Sequence, residues 1–182
     1  LFASNRSGDW DAYMVDLDGG NARLAVGAAG SDEVHPALAP DGDHLVFSSN
    51  RGGNWDIYRA QLGDPGWIQL TDDPAADRLP SFSADGQSIV FRSERDGVSA
   101  AYRMAPDGTG ETRVTSLDSA ATYPLAIPDG SGVVYVSTQD GVARIAFANP
   151  VGAGVRHLWS RPGWSSLTPR VAGDSRTIVF AA

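Results

Sequence analysis

One short apolar phrase returns along the whole length of this chain. Leu45-Val46-Phe47-Ser48 is echoed by Ile89-Val90-Phe91, Val133-Val134-Tyr135 and Ile178-Val179-Phe180, and Leu1-Phe2-Ala3-Ser4 is a further copy. Its aromatics stand at 2, 47, 91, 135 and 180, so the steps are 45, 44, 44 and 45 residues. A period in the mid-forties confines a chain to stacked copies of one unit, either propeller blades or helical pairs, because each copy buries its apolar face only against the next. Composition separates the two. The 21 glycines and 11 prolines are too many for a helical array and suit short strands joined by tight turns. Nor is there an apolar stripe of helical period and helical length.

Within each period the pattern is strand, turn, strand, turn. Ser4-Asn5-Arg6-Ser7-Gly8-Asp9-Trp10-Asp11-Ala12-Tyr13 is nearly repeated as Ser49-Asn50-Arg51-Gly52-Gly53-Asn54-Trp55-Asp56-Ile57-Tyr58, and Gly and Asn supply the positive φ that tight hairpins require. A short outer strand follows, marked by Leu24, Leu70, Val114 and Leu158. A polar linker then leads to Pro36, Pro80, Pro124 or Pro169, each read as beginning a strand that closes at Asp41-Gly42, Asp85-Gly86, Asp129-Gly130 or Asp174-Ser175. Four strands per repeat make an antiparallel meander the size of one propeller blade. The strands around Phe47, Phe91 and Tyr135 are apolar at successive positions, as sheets buried on both faces require. The fold class is therefore all-β: a β-propeller of four-stranded antiparallel blades, with repeats near 1–41, 42–85, 86–129 and 130–174. The later repeats drift: the Trp-Asp of the first two becomes Ser99-Ala100 and Ala143-Arg144.

At these residues the chain resembles the TolB-type β-propeller repeat. Leu70-Thr71-Asp72-Asp73-Pro74 leads to Pro80-Ser81-Phe82-Ser83-Ala84-Asp85-Gly86, and Asn50 to Tyr58 matches that family's Asn-Arg-Asp-Gly-Asn-Trp-Asp-Ile-Tyr hairpin almost throughout. The resemblance covers essentially the whole chain. It implies that the Pro-led strand is innermost and that strands at 168–172 and 177–181 complete the blade begun by residues 1–26. The second strand of the repeat is then present at both ends, one copy too many for four closed blades. The surplus points either to a window cut from a longer propeller or to an imperfect overlap of the two ends, and incomplete blades leave self-association open.

Function classes narrow by exclusion. Net charge is −8 with no Lys/Arg cluster, which argues against nucleic acid and anionic membranes as partners. The chain has no cysteine, so disulfides and thiolate metal sites are out, and no apolar run reaches membrane-spanning length. It starts at Leu1, inside a strand copy and without an initiator Met, so targeting is unreadable. His35, His44 and His157 lie in different strands without metal-ligand spacing. Asp16/Asp18 and Asp72/Asp73 lack the alternation of a calcium loop and read as turn residues. Asp11 and Asp56, recurring after Trp, read as partners of their hairpin backbones. No Gly-x-Ser-x-Gly occurs, Ser165 and Ser166 lying in Gly163-Trp164-Ser165-Ser166-Leu167. No catalytic residue, cofactor or metal is assigned.

What remains is recognition. The linkers entering the innermost strands carry Asp32, Glu33 and His35, then Asp77 and Arg78, then Thr122 and Tyr123, then Ser166 and Thr168. They differ between repeats while the framework stays constant, the pattern of a site grafted on a scaffold; ordinary loop variation is the bland counterpart. Trp67, Trp159 and Trp164 fall outside the repeat and read as cover for a blade edge or as interface anchors. The leading expectation is a non-enzymatic propeller that binds a protein or peptide at a channel mouth, in the periplasm or outside the cell. Two other readings follow from the resemblance: the gating propeller of a prolyl oligopeptidase-type serine hydrolase, and a metal-assisted polysaccharide lyase.

Overall fold

The computed structural model describes residues 1–149, 154–160 and 168–181. All of their regular elements are strands, paired in five antiparallel meanders. The first sheet is β1 (Phe2–Ser4), β2 (Asp11–Met14) and β3 (Arg23–Val26). Three four-stranded sheets follow. The second holds β4 (Glu33–Leu38), β5 (His44–Ser49), β6 (Asp56–Gln61) and β7 (Trp67–Gln69). The third holds β8 (Asp77–Phe82), β9 (Ile89–Ser93), β10 (Ala100–Met104) and β11 (Thr112–Arg113). The fourth holds β12 (Ala120–Ala126), β13 (Val133–Gln139), β14 (Val142–Ala148) and β15 (Val155–Ser160), and the last is the pair β16 (Thr168–Val171) and β17 (Ile178–Ala181).

The successive apolar residues of the recurring phrase divide between two seams, because neighbouring side chains on a strand point to opposite faces. Leu45 and Phe47 pack with Ala12 and Val26 of the first sheet, while Val46 packs with Ile89 and Phe91 of the third. Val90 in turn joins Val133 and Tyr135 of the fourth, and Val134 and Val136 meet Ile178 and Phe180. A Phe buried as completely as Phe47 or Phe91 contributes about 2–3 kcal/mol by removal from water. Within sheets, the ring pairs Phe2–Tyr13, Phe47–Tyr58 and Phe91–Tyr102 lie 5.9, 6.0 and 5.8 Å apart. The fourth sheet opposes Tyr135 with Ala146 instead.

The seams are stitched by one repeated backbone hydrogen bond. The N–H groups of Glu33, Asp77 and Ala121 donate to the carbonyls of Trp10, Trp55 and Ser99 in the preceding sheet, at 2.5, 2.7 and 2.7 Å. They fix where β4, β8 and β12 start, and the Pro-bearing strands lie against one another, β4 on β8, β8 on β12 and β12 on β16. They are the inner wall of the arc.

Two expectations are corrected. The prolines do not begin their strands: Pro36, Pro80 and Pro124 lie inside β4, β8 and β12. Strands 168–181 do not join the first sheet: β16 and β17 pair with each other, and Val171, Ile178 and Phe180 pack against the fourth sheet. β1 and β17 are both copies of the second strand, so the surplus read from the sequence is present in the structure. At the turn before β17, Ser175 takes φ 57° where Gly42, Gly86 and Gly130 take 77°, 69° and 76°. No helix among the described residues is long and apolar enough to cross a membrane.

Candidate binding site

The inner strands β4, β8 and β12 are each interrupted at the same place. The register with its neighbour shifts between Val34 and Ala37, between Arg78 and Ser81, and between Thr122 and Leu125. The cause is the proline, which has no N–H to give the ladder and is tolerated in a sheet at an edge strand or a bulge. The residue before it takes a left-handed backbone: His35 at φ 53°, Leu79 at 56° and Tyr123 at 51°. None of these is glycine, and such a conformation costs on the order of 1 kcal/mol each. The seams hold it in place; the N–H of Leu79, for instance, donates to Ser48 Oγ of the second sheet at 3.2 Å.

The three bulges converge on one cavity of about 300 Å³. His35, Leu79 and Tyr123 line it with the prolines that follow them, Ala37, Ser81 and Leu125 come next along each strand, and Arg170 of β16 closes the set. A second hollow of about 280 Å³ lies between the second and third sheets. Its carboxylates are committed to their own turns, Asp41 Oδ1 accepting the N–H of Asp43 and Asp85 Oδ1 that of Gln87. We read that hollow as a seam.

The electrostatics of the axial cavity are lopsided. Arg78 and Arg92 are direct cross-strand neighbours. Arg92 pairs with Glu94, while Arg78 rests its guanidinium 4.0 Å from the Trp55 ring centre. Arg78's pKa is lowered, first by burial and then by Arg92, with Glu94 opposing. The His35 ring is open to solvent on one side but crowded in the concavity. That desolvation, followed by the charges of Arg78 and Arg92, holds its pKa below the usual imidazole value.

The residues proposed from sequence divide into three groups. His35 and Tyr123 line the cavity, Tyr123 being 36% exposed, and Arg78 and Thr122 directly precede lining positions. Asp32, Glu33 and Asp77 are framework. Asp32 accepts the N–H of Trp10 at 3.1 Å and gives its own N–H to Asn50 Oδ1 at 2.8 Å. Glu33 and Asp77, expected at the mouth, are fully buried. As the first residues of β4 and β8 they face the seams. Glu33 accepts from Ser31 Oγ, Ser49 Oγ and the N–H of Ala28, and Asp77 meets Arg95 at 2.8 Å. Thr168 sits opposite Ala181 in β16, outside the cavity lining. Ser166, like Trp164, lies outside the described residues.

Sequence reasoning missed Leu79, the three prolines and Arg170. The available signal was the residue immediately before each Pro, which selects His35, Leu79 and Tyr123 together. The other expectations also shift. Asp56 takes Gln69 Nε2 and Thr71 Oγ1 of the outer-strand segment rather than hairpin backbone, and Asp11 takes Ser7 Oγ. Trp67 packs edge-on to Phe47 at 5.2 Å under Arg51, and Trp159 meets Phe180 at 4.7 Å. Among the described residues, no three His, Asp or Glu side chains gather as metal ligands.

The model of the TolB beta propeller domain matches residues 2–182. A putative TolB from Agrobacterium tumefaciens is similar in structure, with TM-score 0.78 and 25% identity, over 87% of this chain and 60% of that one. TolB from Acinetobacter baumannii gives 0.78 and 22%, over 92% and 41%. A Mycobacterium tuberculosis puromycin-hydrolyzing peptidase gives 0.65 and 16%, over 86% and 26%, a likeness of fold alone. The chain thus spans less than two thirds of the length of these structures. No curated protein matches it by sequence.

Proposed function

Since the chain belongs to the TolB beta propeller domain family, we propose that it is a non-enzymatic binding module that receives a protein or peptide segment in its axial cavity. The observation that carries this reading is the threefold bulge. Three equivalent strands hold three different residues, His35, Leu79 and Tyr123, in the same left-handed conformation, and all three line one concavity. A framework that repeats its strain and varies its side chains displays those side chains rather than packing them. The inner strands are fixed by the seam hydrogen bonds before any ligand arrives, so little ordering entropy is lost on binding.

We place this work outside the cytoplasm, periplasmic or extracellular, in keeping with the cysteine-free sequence. The test is selection from a random peptide library on the immobilised chain, followed by titration of the selected peptides against wild type and Tyr123→Ala. Loss of an exposed aromatic anchor is expected to weaken binding by about tenfold or more with thermal unfolding unchanged. Equal affinity for both proteins would remove the axial cavity from the account. A Gly-x-Ser-x-Gly segment encoded beside this one would favour the propeller of a serine hydrolase, and metal-dependent cleavage of an acidic polysaccharide would favour a lyase.

A further inference from the structure

We propose that the axial cavity selects acidic peptide segments, with Arg170 in its lining and the cross-strand pair Arg78 and Arg92 beside it recognising the carboxylates. The inference rests on the binding-module reading and adds the chemistry of the partner. Its basis is a pair of facing arginines that share one carboxylate, Glu94, and a third arginine in the cavity lining, on a chain of net charge −8.

Arg78 and Arg92 stand directly opposite one another across β8 and β9, an arrangement of like charges that destabilises a sheet. The framework does not demand it. The equivalent pairs are Val34 and Ser48 in the second sheet, and Thr122 and Val136 in the fourth. Within the described residues only Arg92 has a carboxylate, Glu94, and its Nε is buried without an acceptor. Arg78 has the face of Trp55 in place of an anion. Arg170 gives Nη1 to the neighbouring Pro169 carbonyl at 2.9 Å and lines the cavity from β16. Burial first lowers the pKa values of Arg78 and His35; the charge of Arg92 lowers both further, that of Arg78 adds to the effect on His35, and Glu94 offsets part of it at Arg78.

Guanidinium groups recognise carboxylates through paired N–H donors, and a desolvated setting strengthens the contact. The rest of the cavity wall is mainly apolar, made by the three prolines, Leu79 and Leu125, with polar groups on His35, Ser81 and Tyr123. Such a surface takes an aliphatic or aromatic side chain. An apolar residue beside an acidic one is therefore the ligand that fits, and a peptide supplies it more readily than an acidic oligosaccharide.

Three acetylated, amidated hexapeptides test this, alternating Leu with Glu, Gln or Lys, titrated calorimetrically against the intact chain. The Glu peptide is expected to bind about tenfold or more tightly than the Gln peptide, and to weaken as salt rises. The Lys peptide is expected to bind weakest. Arg78→Gln with Arg92→Gln should bring the Glu peptide down to the affinity of the Gln peptide, with the fold checked by thermal unfolding. Equal binding of the Glu and Gln peptides, both weakened by Tyr123→Ala, overturns the charge selectivity and leaves the peptide-binding module standing. If oligogalacturonate binds and no peptide does, or if nothing binds, both readings fall.

Discussion

Asp56 is 3% exposed, and its carboxylate accepts Gln69 Nε2 at 3.2 Å and Thr71 Oγ1 at 3.4 Å. Burial, then the charge of Asp77, raise its pKa to about 6, with Asp72 and Asp73 adding to the rise and Thr71 opposing it. Asp77 is also raised by burial, against the pull of Ser93 and Arg95. A carboxyl group whose folded pKa exceeds its unfolded value of 3.8 binds its proton more tightly when folded. Its stabilising effect is complete below about pH 4, falls as pH rises towards 6, and is gone above that. Asp56→Asn removes the charge; its amide oxygen can still accept from Gln69 Nε2, while its NH2 would donate to Thr71 Oγ1 and reverse that bond. Urea unfolding should show the variant more stable than wild type by about 2–3 kcal/mol at pH 7.5, with the gap closing by pH 4. A gap independent of pH would mean that Asp56 is not the titrating group. This cost was invisible in the sequence, where an Asp recurring after Trp reads as turn chemistry; only the neighbouring sheet brings Asp77 close enough to repel it.

Among the elements, the bulged strands of the inner wall concentrate the backbone strain and carry the proposed recognition. Their presence was legible, since Pro36, Pro80 and Pro124 recur in phase with the apolar phrase. The bulge itself was not, because a proline read as opening a strand leaves nothing to interrupt. The third-sheet candidates from sequence were Asp77 and Arg78, which omits Leu79, the residue before Pro80, although its equivalents His35 and Tyr123 are among the candidates. The buried Glu33 and Asp77 were misplaced for a related reason. In a linker they would be solvated, but as first residues of a strand they are turned into the seam. Leu79 has the side chain least suited to its φ of 56°, whereas Asn tolerates the left-handed region. Leu79→Asn is expected to raise stability by about 0.5–1 kcal/mol in thermal or urea unfolding while weakening peptide binding. A variant that loses stability would show that the contacts of Leu79 outweigh its strain.

For the whole molecule, the spacing of five aromatics carried the blade size, while the turn residues gave the strand order and the runs of successive apolar residues gave the alternation between seams. How the two ends relate did not follow. A repeat dictates how each sheet meets the next, while β1 and β17 repeat the same strand and so give no rule for joining the first sheet to the last. The inner wall is the part on which the functional account depends, and mapping a library-selected peptide onto the chain tests it most directly. Backbone amide chemical shifts recorded with and without that peptide should change most at residues 34–37, 78–81 and 122–125 and around Arg170. Changes concentrated instead on the outer strands β3, β7, β11 and β15 would contradict an axial site.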